Sequence, residues 1–283
     1  MHNNMTNLQM YCISMEPSHL NFIKELGYIP VGLGEKSFSK DWMTDITGEN
    51  ISNKNKNYGE YTFHYWVWKN YMDKEDFKDG WIGFCQYRKF WTTEKSFQHA
   101  ESLKHLKSLV LKKIPESYQG ADVILGEEVA TTNFKGMKFL KKGLNLFLRK
   151  PSYLFKRNNR NIKFHFDLMH GSNNLDRAIE LLEPEDRNDF KEFVNMEISF
   201  NPHNMFICKS KEILKNYYLT IFPWLERCHH LFGFENLKGF GEIRIYTFLA
   251  ERILTYWIKK NYKFKTMPII FYDIRKDFNH NPL

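Results

Sequence analysis

A polar stretch early in the chain, residues 45–60, carries the residue types that can hold a sugar or a phosphate. Asparagine side chains donate and accept hydrogen bonds, carboxylates accept them from sugar hydroxyl groups, and lysine neutralises phosphate. A surface loop that caps the next helix would use many of the same residue types for its turns and N-cap. The stretch therefore indicates either a ligand site or a capping loop.

A second group of candidate residues falls within an apolar run at residues 81–91, where Gln86-Tyr87-Arg88-Lys89 interrupts the apolar pattern. Arginine can bind a diphosphate through paired hydrogen bonds, and lysine can bind it as a point charge. Because strand residues alternate between two faces, only one of the two needs to reach a ligand. Surface ion pairs at a strand end are the alternative interpretation.

Aromatic residues follow the polar stretch at helical spacing, namely Tyr61, Tyr65, Trp66 and Trp68. A stripe of this kind usually belongs to the core of a protein. Stacking on a uracil or a sugar ring is the alternative use of such residues.

Strands and helices alternate along the chain and would position these residues. The predicted strands are residues 10–14, 29–36, 81–91, 121–125, 200–208 and 265–271. The predicted helices are residues 16–26, 58–72, 99–113, 174–182, 184–194, 211–227 and 241–262, the last being the longest. This alternation predicts an α/β fold with a mostly parallel central sheet flanked by helices. A length of 283 residues, 42% of them hydrophobic, is sufficient for one domain over residues 1–283.

Ligands of such sheets bind outside the carboxyl ends of the strands. This rule places Gln86–Lys89 at the same rim as His203 and Asn204, which begin the polar start of a later strand. The polar stretch at residues 45–60 is expected to join them there.

The net charge of +8 is unevenly distributed, because residues 129–166 form a basic insertion without Asp or Glu. Bulky apolar residues are interleaved with its lysines and arginines, which favours contact with an anionic membrane surface. A solvated loop and a nucleic-acid-binding arm are the alternatives. No nucleic-acid-binding motif accompanies the charge, so we expect no nucleic-acid partner.

Four cysteines occur without a Cys-x-x-Cys pair, which indicates neither a zinc site nor a disulfide framework. The sequence shows neither a signal peptide nor an apolar run of about 18 residues. We therefore expect a cytoplasmic protein that contacts the inner face of the membrane through its basic insertion.

Five motifs occur in a fixed order: Asp45-x-Thr-Gly-Glu-Asn-Ile-Ser-x-Lys-Asn55; Tyr58-x-Glu-x-Thr62 with Tyr65-Trp-x-Trp-Lys-Asn70; Ile82-Gly-x-x-x-Tyr-Arg-Lys-Phe90; Asn204-Met-Phe-Ile207; and Arg244 with Leu249-Ala-Glu-Arg252. Together they resemble a bacterial family of capsular and exopolysaccharide biosynthesis that was first catalogued as a domain of unknown function. That family includes galactofuranosyltransferases. Two positions depart from its pattern: Gln86 replaces a histidine, and Gly59 replaces a small residue such as cysteine, a change expected to be neutral.

The resemblance implies a GT-A-like glycosyltransferase that uses a UDP-sugar donor and a lipid-linked glycan acceptor, with inversion at the anomeric carbon. UDP-galactofuranose is the expected donor. A transferase for a pyranose such as galactose or glucose is the alternative, and a noncatalytic glycan-binding assembly protein is another.

The predicted site residues fall into two groups. The expected donor-binding residues are Gly32, Asn50, Lys54, Asn55, Glu60, Tyr87, Arg88, Lys89, His203, Asn204 and Arg244. The candidates for the catalytic base are Asp45, Glu49, His170, Asp176 and Glu251, with Glu60, His203 and Glu242 as further possibilities. His170 and Asp176 are expected on a mobile loop over the site, whereas Glu251 could instead form a buried ion pair with Arg252.

An Asp-x-Asp motif, which most GT-A enzymes use to bind a divalent metal, is absent from this sequence. We therefore expect no metal or other cofactor. Arg88 and Lys89 are expected to stabilise the leaving diphosphate in its place.

Overall fold

The computed structural model describes residues 8–131 and 160–275. Most of the basic insertion, residues 132–159, lies outside the described residues, so its membrane contact stays a prediction. That residues 1–283 form one domain also stays a prediction. Within the two described ranges, no helix combines the length and the apolar character needed to cross a bilayer.

Eleven strands are described. They are β1 (Leu8–Ser14), β2 (Ile29–Gly32), β3 (Met43–Thr44), β4 (Trp81–Gln86), β5 (Lys89–Trp91), β6 (Val123–Gly126), β7 (Val129–Ala130), β8 (Ser199–Phe200), β9 (Phe206–Cys208), β10 (Phe264–Met267) and β11 (Ile269–Phe271).

The α-helices of the described residues are α1 (Leu20–Glu25), α2 (Asn55–Tyr58), α3 (Tyr61–Trp66), α4 (Leu103–Leu109), α5 (Ile162–His170), α6 (Asn174–Ile179), α7 (Pro184–Met196), α8 (Lys211–Phe232), α9 (Gly239–Ile243) and α10 (Ile245–Asn261). Short 3-10 helices occupy Pro17–His19, Ser52–Lys54 and Glu116–Tyr118, and a π-helical turn occupies Val67–Tyr71.

The central sheet has the strand order β10-β6-β9-β4-β1-β2-β3, with β5 paired to both β4 and β11. Strands β4, β1, β2 and β3 run parallel to one another, and β10 runs parallel to β6. Strand β9 is antiparallel to both of its neighbours. The mostly parallel α/β class predicted from the sequence is therefore confirmed.

Strand β1 shows how the sheet divides the core into two layers. Tyr11 and Ile13 belong to the cluster that packs against α8 and α10, whereas Met10 and Cys12 belong to the cluster that packs against α1 and α4. This division follows from the two-residue alternation of a strand that is buried on both faces. Burial of each large apolar side chain contributes about 1.5–3 kcal/mol relative to exposure.

Three predicted strands are each split in two. The run 81–91 turns back at Tyr87 and Arg88, so that Lys89 pairs with Gln86 in an antiparallel hairpin. The run 200–208 is broken by a loop, and the run 265–271 is broken at Pro268, which lacks the N–H needed for strand pairing. Because the residues on both sides of each break are apolar, the hydrophobic pattern did not indicate these turns.

The helices differ from the prediction at three further places. The longest helix is α8 with 22 residues, because residues 241–262 are divided at Arg244 into α9 and the 17-residue α10. Helix α5 was not predicted, because its residues lie at the end of the basic insertion and beyond it. The predicted helix 58–72 begins only at Tyr61, after Gly59 adopts a positive φ of 56°.

We predict that the stability of the protein falls as the pH drops below about 6.5. His64 lies fully buried with Nδ1 2.8 Å from the Tyr218 hydroxyl, and burial lowers its pKa to about 3. The unfolded chain protonates this side chain near its ordinary pKa of about 6.5, so below that pH the unfolded state binds more protons. Well below pH 6.5, one such histidine should remove about 1.4 kcal/mol of stability per pH unit.

Urea unfolding between pH 7.5 and 5.0 measures this slope. The His64→Gln variant should show a shallower slope than the wild type, and the matched control at exposed His99, His99→Gln, should keep the wild-type slope. Equal slopes for all three proteins would contradict the assignment to His64.

Candidate functional site

A cavity of about 370 Å³ opens at the carboxyl ends of β1 and β4, and we call it the rim pocket. It brings the hairpin residues Gln86–Lys89 together with His203 and Asn204, as their positions in the sheet predict. Its lining residues are Ile13, Ser14, Met15, Leu33, Asn55, Gly59, Glu60, Gln86, Tyr87, Arg88, Lys89, His203, Asn204, Phe240, Arg244, Thr247, Phe248 and Glu251.

The backbone of the loop before β9 is held in an uncommon conformation. His203 and Asn204 have φ angles of 83° and 54°, a region that costs a non-glycine residue about 1–3 kcal/mol. The His203 N–H donates to Glu251 Oε1 at 2.6 Å, and the Gln86 side chain donates to the His203 carbonyl at 3.1 Å. These bonds from two other elements hold the loop in place and fix where its side chains lie.

The His203 ring is neutral, and its tautomer is set by Lys89. Lys89 Nζ lies 3.0 Å from His203 Nδ1, and an ammonium group can only donate, so Nδ1 accepts and Nε2 carries the proton. Burial, with the neighbouring charge of Lys89, lowers the pKa of His203 to about 3. His203 is therefore a hydrogen-bond donor at Nε2 near neutral pH.

Burial also lowers the pKa of Lys89, while the carboxylates of Glu60 and Glu251 act in the opposite direction. Coulomb interactions of a half-buried ammonium are stronger than those of a hydrated one, since less water screens the charge. Lys89 can therefore interact strongly with an anion in the rim pocket.

A second network orients Asn204. Its Nδ2 donates to Glu60 Oε1 at 2.8 Å and to the Thr247 carbonyl at 3.1 Å, while the Tyr61 hydroxyl donates to its Oδ1 at 3.3 Å. Arg244 Nη2 lies 3.5 Å from the other Glu60 oxygen, Oε2. The network joins the loop before β9 to the starts of α3 and α10 along the lining of the pocket.

Both carboxylate oxygens of Glu251 have partners. Its Oε1 accepts from the backbone of His203, and its Oε2 pairs with the buried guanidinium of Arg252. Arg252 in turn lies 3.8 Å from the centroid of the Phe200 ring and 3.0 Å from His165 Nδ1. The buried ion pair weighed as an alternative for Glu251 is therefore present.

Three cationic side chains, Arg88, Lys89 and Arg244, face two carboxylates, Glu60 and Glu251, around the pocket. Arg88 is half exposed and lies 4.0 Å from Asp273. The excess of positive charge and the many fixed donors suit an anionic ligand that carries hydroxyl groups. Among the residues that the structure describes, no three His, Cys, Asp or Glu side chains converge as metal ligands.

Two candidate bases from the polar stretch lie away from the pocket. Asp45 is buried beside Thr62, and burial raises the pKa of its carboxyl group. Glu49 is exposed and accepts from the Tyr65 hydroxyl at 2.7 Å, with Lys69 at 3.2 Å. Hydrogen bonding to Tyr65 and Lys69 lowers the pKa of Glu49.

Three predicted donor-binding residues are also placed elsewhere. Asn50 accepts from the backbone N–H of Ser52 at 3.2 Å, as a local turn requires. Gly32 lies beneath Phe38, whose ring leaves no space for a Cβ atom, and Lys54 lines a different cavity. The amino-terminal part of the polar stretch thus forms turns, whereas Asn55 and Glu60 line the rim pocket.

His170 and Asp176 do not lie over the site. His170 ends α5 and is buried, with its ring 3.9 Å from that of Phe248 and its Nδ1 3.1 Å from the Gly241 carbonyl. Asp176 forms an ion pair with Lys163 at 2.7 Å. The expected mobile loop is instead a packed junction between helices.

Several pocket residues were not among the predicted ones, including Ser14, Phe240, Thr247 and Phe248. The spacing of residues in the sequence could have predicted two of them. Thr247 and Phe248 follow Arg244 by three and four residues, and Glu251 follows by seven, which places all four on one face of a helix.

The fold and site define an α/β protein with a cationic ligand pocket at the carboxyl ends of its parallel strands. The family model described as a domain of unknown function, DUF4422, matches residues 10–262, and the chain belongs to this family. This membership confirms the family resemblance that the five motifs predicted. A comparison with curated proteins found no match.

The chain is similar in structure to WbbM, a bifunctional glycosyltransferase solved in its apo form. The TM-score is 0.64 at 21% sequence identity, and the match covers 94% of this chain but 45% of that one. The similarity shows a shared fold, and this chain spans less than half of the length of WbbM.

We predict that replacing Gly59 with alanine destabilises this protein, although the family resemblance places a small residue such as cysteine at this position. Its φ is +56°, and an added Cβ would lie within 3.0 Å of Arg244 Nη2 and Thr247 Oγ1. Gly59→Ala should lower the free energy of unfolding by about 1–3 kcal/mol, because the backbone is strained and Arg244 is displaced. Urea denaturation measures this loss.

The matched control is Gly120→Ala, since a Cβ atom at Gly120 would meet nothing within 4 Å. That variant should stay within about 0.5 kcal/mol of the wild type. Equal stability of the two variants would show that the Gly59 conformation tolerates a side chain.

Proposed function

We propose that the chain is a glycosyltransferase of surface-glycan synthesis that transfers a hexose from a UDP-sugar to a lipid-linked glycan acceptor. UDP-galactofuranose is the donor we propose. The observation that carries the proposal is the rim pocket, which gathers Arg88, Lys89 and Arg244 around fixed polar side chains. The similarity of the fold to a bifunctional glycosyltransferase supports it.

Transfer moves negative charge onto the diphosphate as its bond to the sugar breaks. Preorganised cations at that position stabilise the charge without rearrangement during the reaction. Arg244 and Arg88 suit bidentate contact with phosphate oxygens, and the half-buried ammonium of Lys89 suits a point contact. We propose that these side chains act in place of a metal ion.

The sugar would lie against the loop before β9. Asn204 and Glu60 are oriented by the hydrogen bond between them, and His203 offers a proton at Nε2. Donors and acceptors with fixed directions distinguish hydroxyl groups by their positions on a ring.

We propose Glu60 as the base. Its contact with Arg244 is the longer of its two, at 3.5 Å, and a bound diphosphate would compete for the Arg244 guanidinium. Glu60 Oε2 would then be available to accept the proton of the acceptor hydroxyl. The hydroxyl oxygen forms a new bond to the anomeric carbon, and the carbon–oxygen bond to UDP breaks with its electron pair leaving on the diphosphate.

Calorimetric titration with UDP tests the proposed donor. We expect micromolar binding that survives EDTA, because cationic side chains hold the diphosphate. Lys89→Met and Arg244→Met should each weaken the binding about 10- to 100-fold, since a charge-assisted hydrogen bond contributes about 1.5–3 kcal/mol. The matched control is Lys191→Ala, which removes an exposed lysine paired with Glu180 on another face.

Binding that is lost with EDTA and restored by Mn²⁺ or Mg²⁺ would end the metal-independent proposal. An absence of UDP binding under both conditions would end the proposal of a UDP-sugar donor and favour a noncatalytic glycan-binding protein.

Glu60→Gln tests the base. The variant should lower the turnover of UDP-galactofuranose about 100-fold or more, because a positioned base contributes about 10²- to 10⁴-fold, while the Kd for UDP stays within about threefold. UDP release measures the turnover, with UDP-galactopyranose as the competing donor. Unchanged turnover would exclude Glu60 as the base, and faster release from the pyranose would favour a pyranosyltransferase.

A further inference from the structure

A second cavity, of about 340 Å³, lies beside the rim pocket at α2, and we call it the aromatic cavity. Lys54 and Tyr58 line it, whereas Asn55 and Gly59 from the same short stretch line the rim pocket. Its lining residues are Ile51, Lys54, Tyr58, Tyr65, Trp68, Lys69, Phe222, Pro223, Glu226, His229 and His230.

Packed rings form one wall of the aromatic cavity. Trp68 and Phe222 lie parallel at 5.3 Å between centroids, and the Tyr65 ring meets both edge-on at 5.8 and 5.2 Å. Tyr65 and Trp68 are half-buried, whereas Tyr61 and Trp66 of the same stripe are buried in the core. The stripe therefore divides into core residues and cavity residues.

Polar groups surround these rings. Lys54, Lys69 and Glu226 supply charges of both signs, which suits a neutral ligand with many hydroxyl groups better than a highly charged one. A cavity of about 340 Å³ is near the lower end of the range of about 300–1,000 Å³ for small-molecule sites. Aromatic rings beside a few directed polar groups are the elements that hold the apolar face and the hydroxyl edge of a sugar.

One buried nitrogen atom of a residue that lines the aromatic cavity has no hydrogen-bond partner. Among the described residues nothing bonds to His229 Nδ1, although the atom is buried. Burial lowers the pKa of His229, so the neutral ring offers one donor and one acceptor. Buried polar atoms left unpaired are rare in proteins, and this one belongs to a residue that lines the aromatic cavity.

We propose that the aromatic cavity binds a sugar unit of a hexose oligosaccharide, namely the acceptor glycan. That the bound glycan is the acceptor rests on the proposed function, whereas the presence of a sugar site is inferred from the cavity alone. Adjacent residues of one short stretch, Lys54 with Tyr58 and Asn55 with Gly59, line the two sites, so the sites are neighbours. A glycan a few units long spans neighbouring sites, which allows the cavity to hold the chain while its end reacts in the rim pocket.

Saturation-transfer NMR tests the proposal with gluco- and galacto-oligosaccharides of two to four units. The wild type should transfer saturation to their ring protons, with and without saturating UDP. Trp68→Ala should raise the oligosaccharide Kd about tenfold. Glu226→Ala, at an exposed position where folding is little affected, should also weaken binding.

Two control variants test whether oligosaccharide binding depends on the rim pocket or on any exposed aromatic ring. Arg244→Met should keep oligosaccharide binding, and so should Phe97→Ala, which removes a part-exposed ring elsewhere. Three results would overturn the proposal. They are the absence of binding for every oligosaccharide, binding that is lost when UDP is added, and binding that neither Trp68→Ala nor Glu226→Ala weakens. Oligosaccharide binding without UDP binding would contradict the proposed transferase function but would support the sugar site.

Discussion

The buried ion pair between Glu251 and Arg252 is the constraint on which the rim pocket depends. Arg252 is 1% exposed, and its desolvation is offset by Glu251, by the ring of Phe200 and by His165. With its other oxygen, Glu251 holds the backbone of His203. One pair of adjacent residues in α10 therefore ties together a core helix, strand β8 and the strained loop of the site. Removing one partner from such a pair typically costs about 3–5 kcal/mol, because the other charge stays buried.

The class of the fold was predictable because strands buried on both faces read as short apolar runs between helical patterns. The breaks within three of those runs were not predictable from hydrophobicity, since both sides of each break are apolar. Only Pro268 carried a local signal for its break. The hairpin at Tyr87 and Arg88 is set by pairing with β11 from the far end of the chain, which no local window contains. The antiparallel direction of β9 has the same origin, because it depends on which neighbours the strand pairs with.

Part of the candidate site followed from one rule, that ligands bind at the carboxyl ends of parallel strands. The rule grouped the hairpin with His203 and Asn204. It could not separate Asn55 and Glu60, which line the pocket, from Asp45 and Glu49, which lie in the preceding turns, because all four are polar residues of one stretch. Their separation depends on the break at Gly59 and on side-chain directions. The residues of α10 could have been grouped by helical spacing, since Arg244 and Glu251 are two turns apart.

Strand β9 lies between β4 and β6, and its pairing joins segments that are more than eighty residues apart in the chain. Pairings between distant segments are slow to form, because a long loop must close before its contacts stabilise it. The rim pocket takes residues from Ile13 through to Glu251, so it does not exist until most of the chain has left the ribosome. During synthesis the growing protein therefore cannot be stabilised by a ligand of this pocket, and the edge of β4 that later pairs with β9 stays open until β9 has been made.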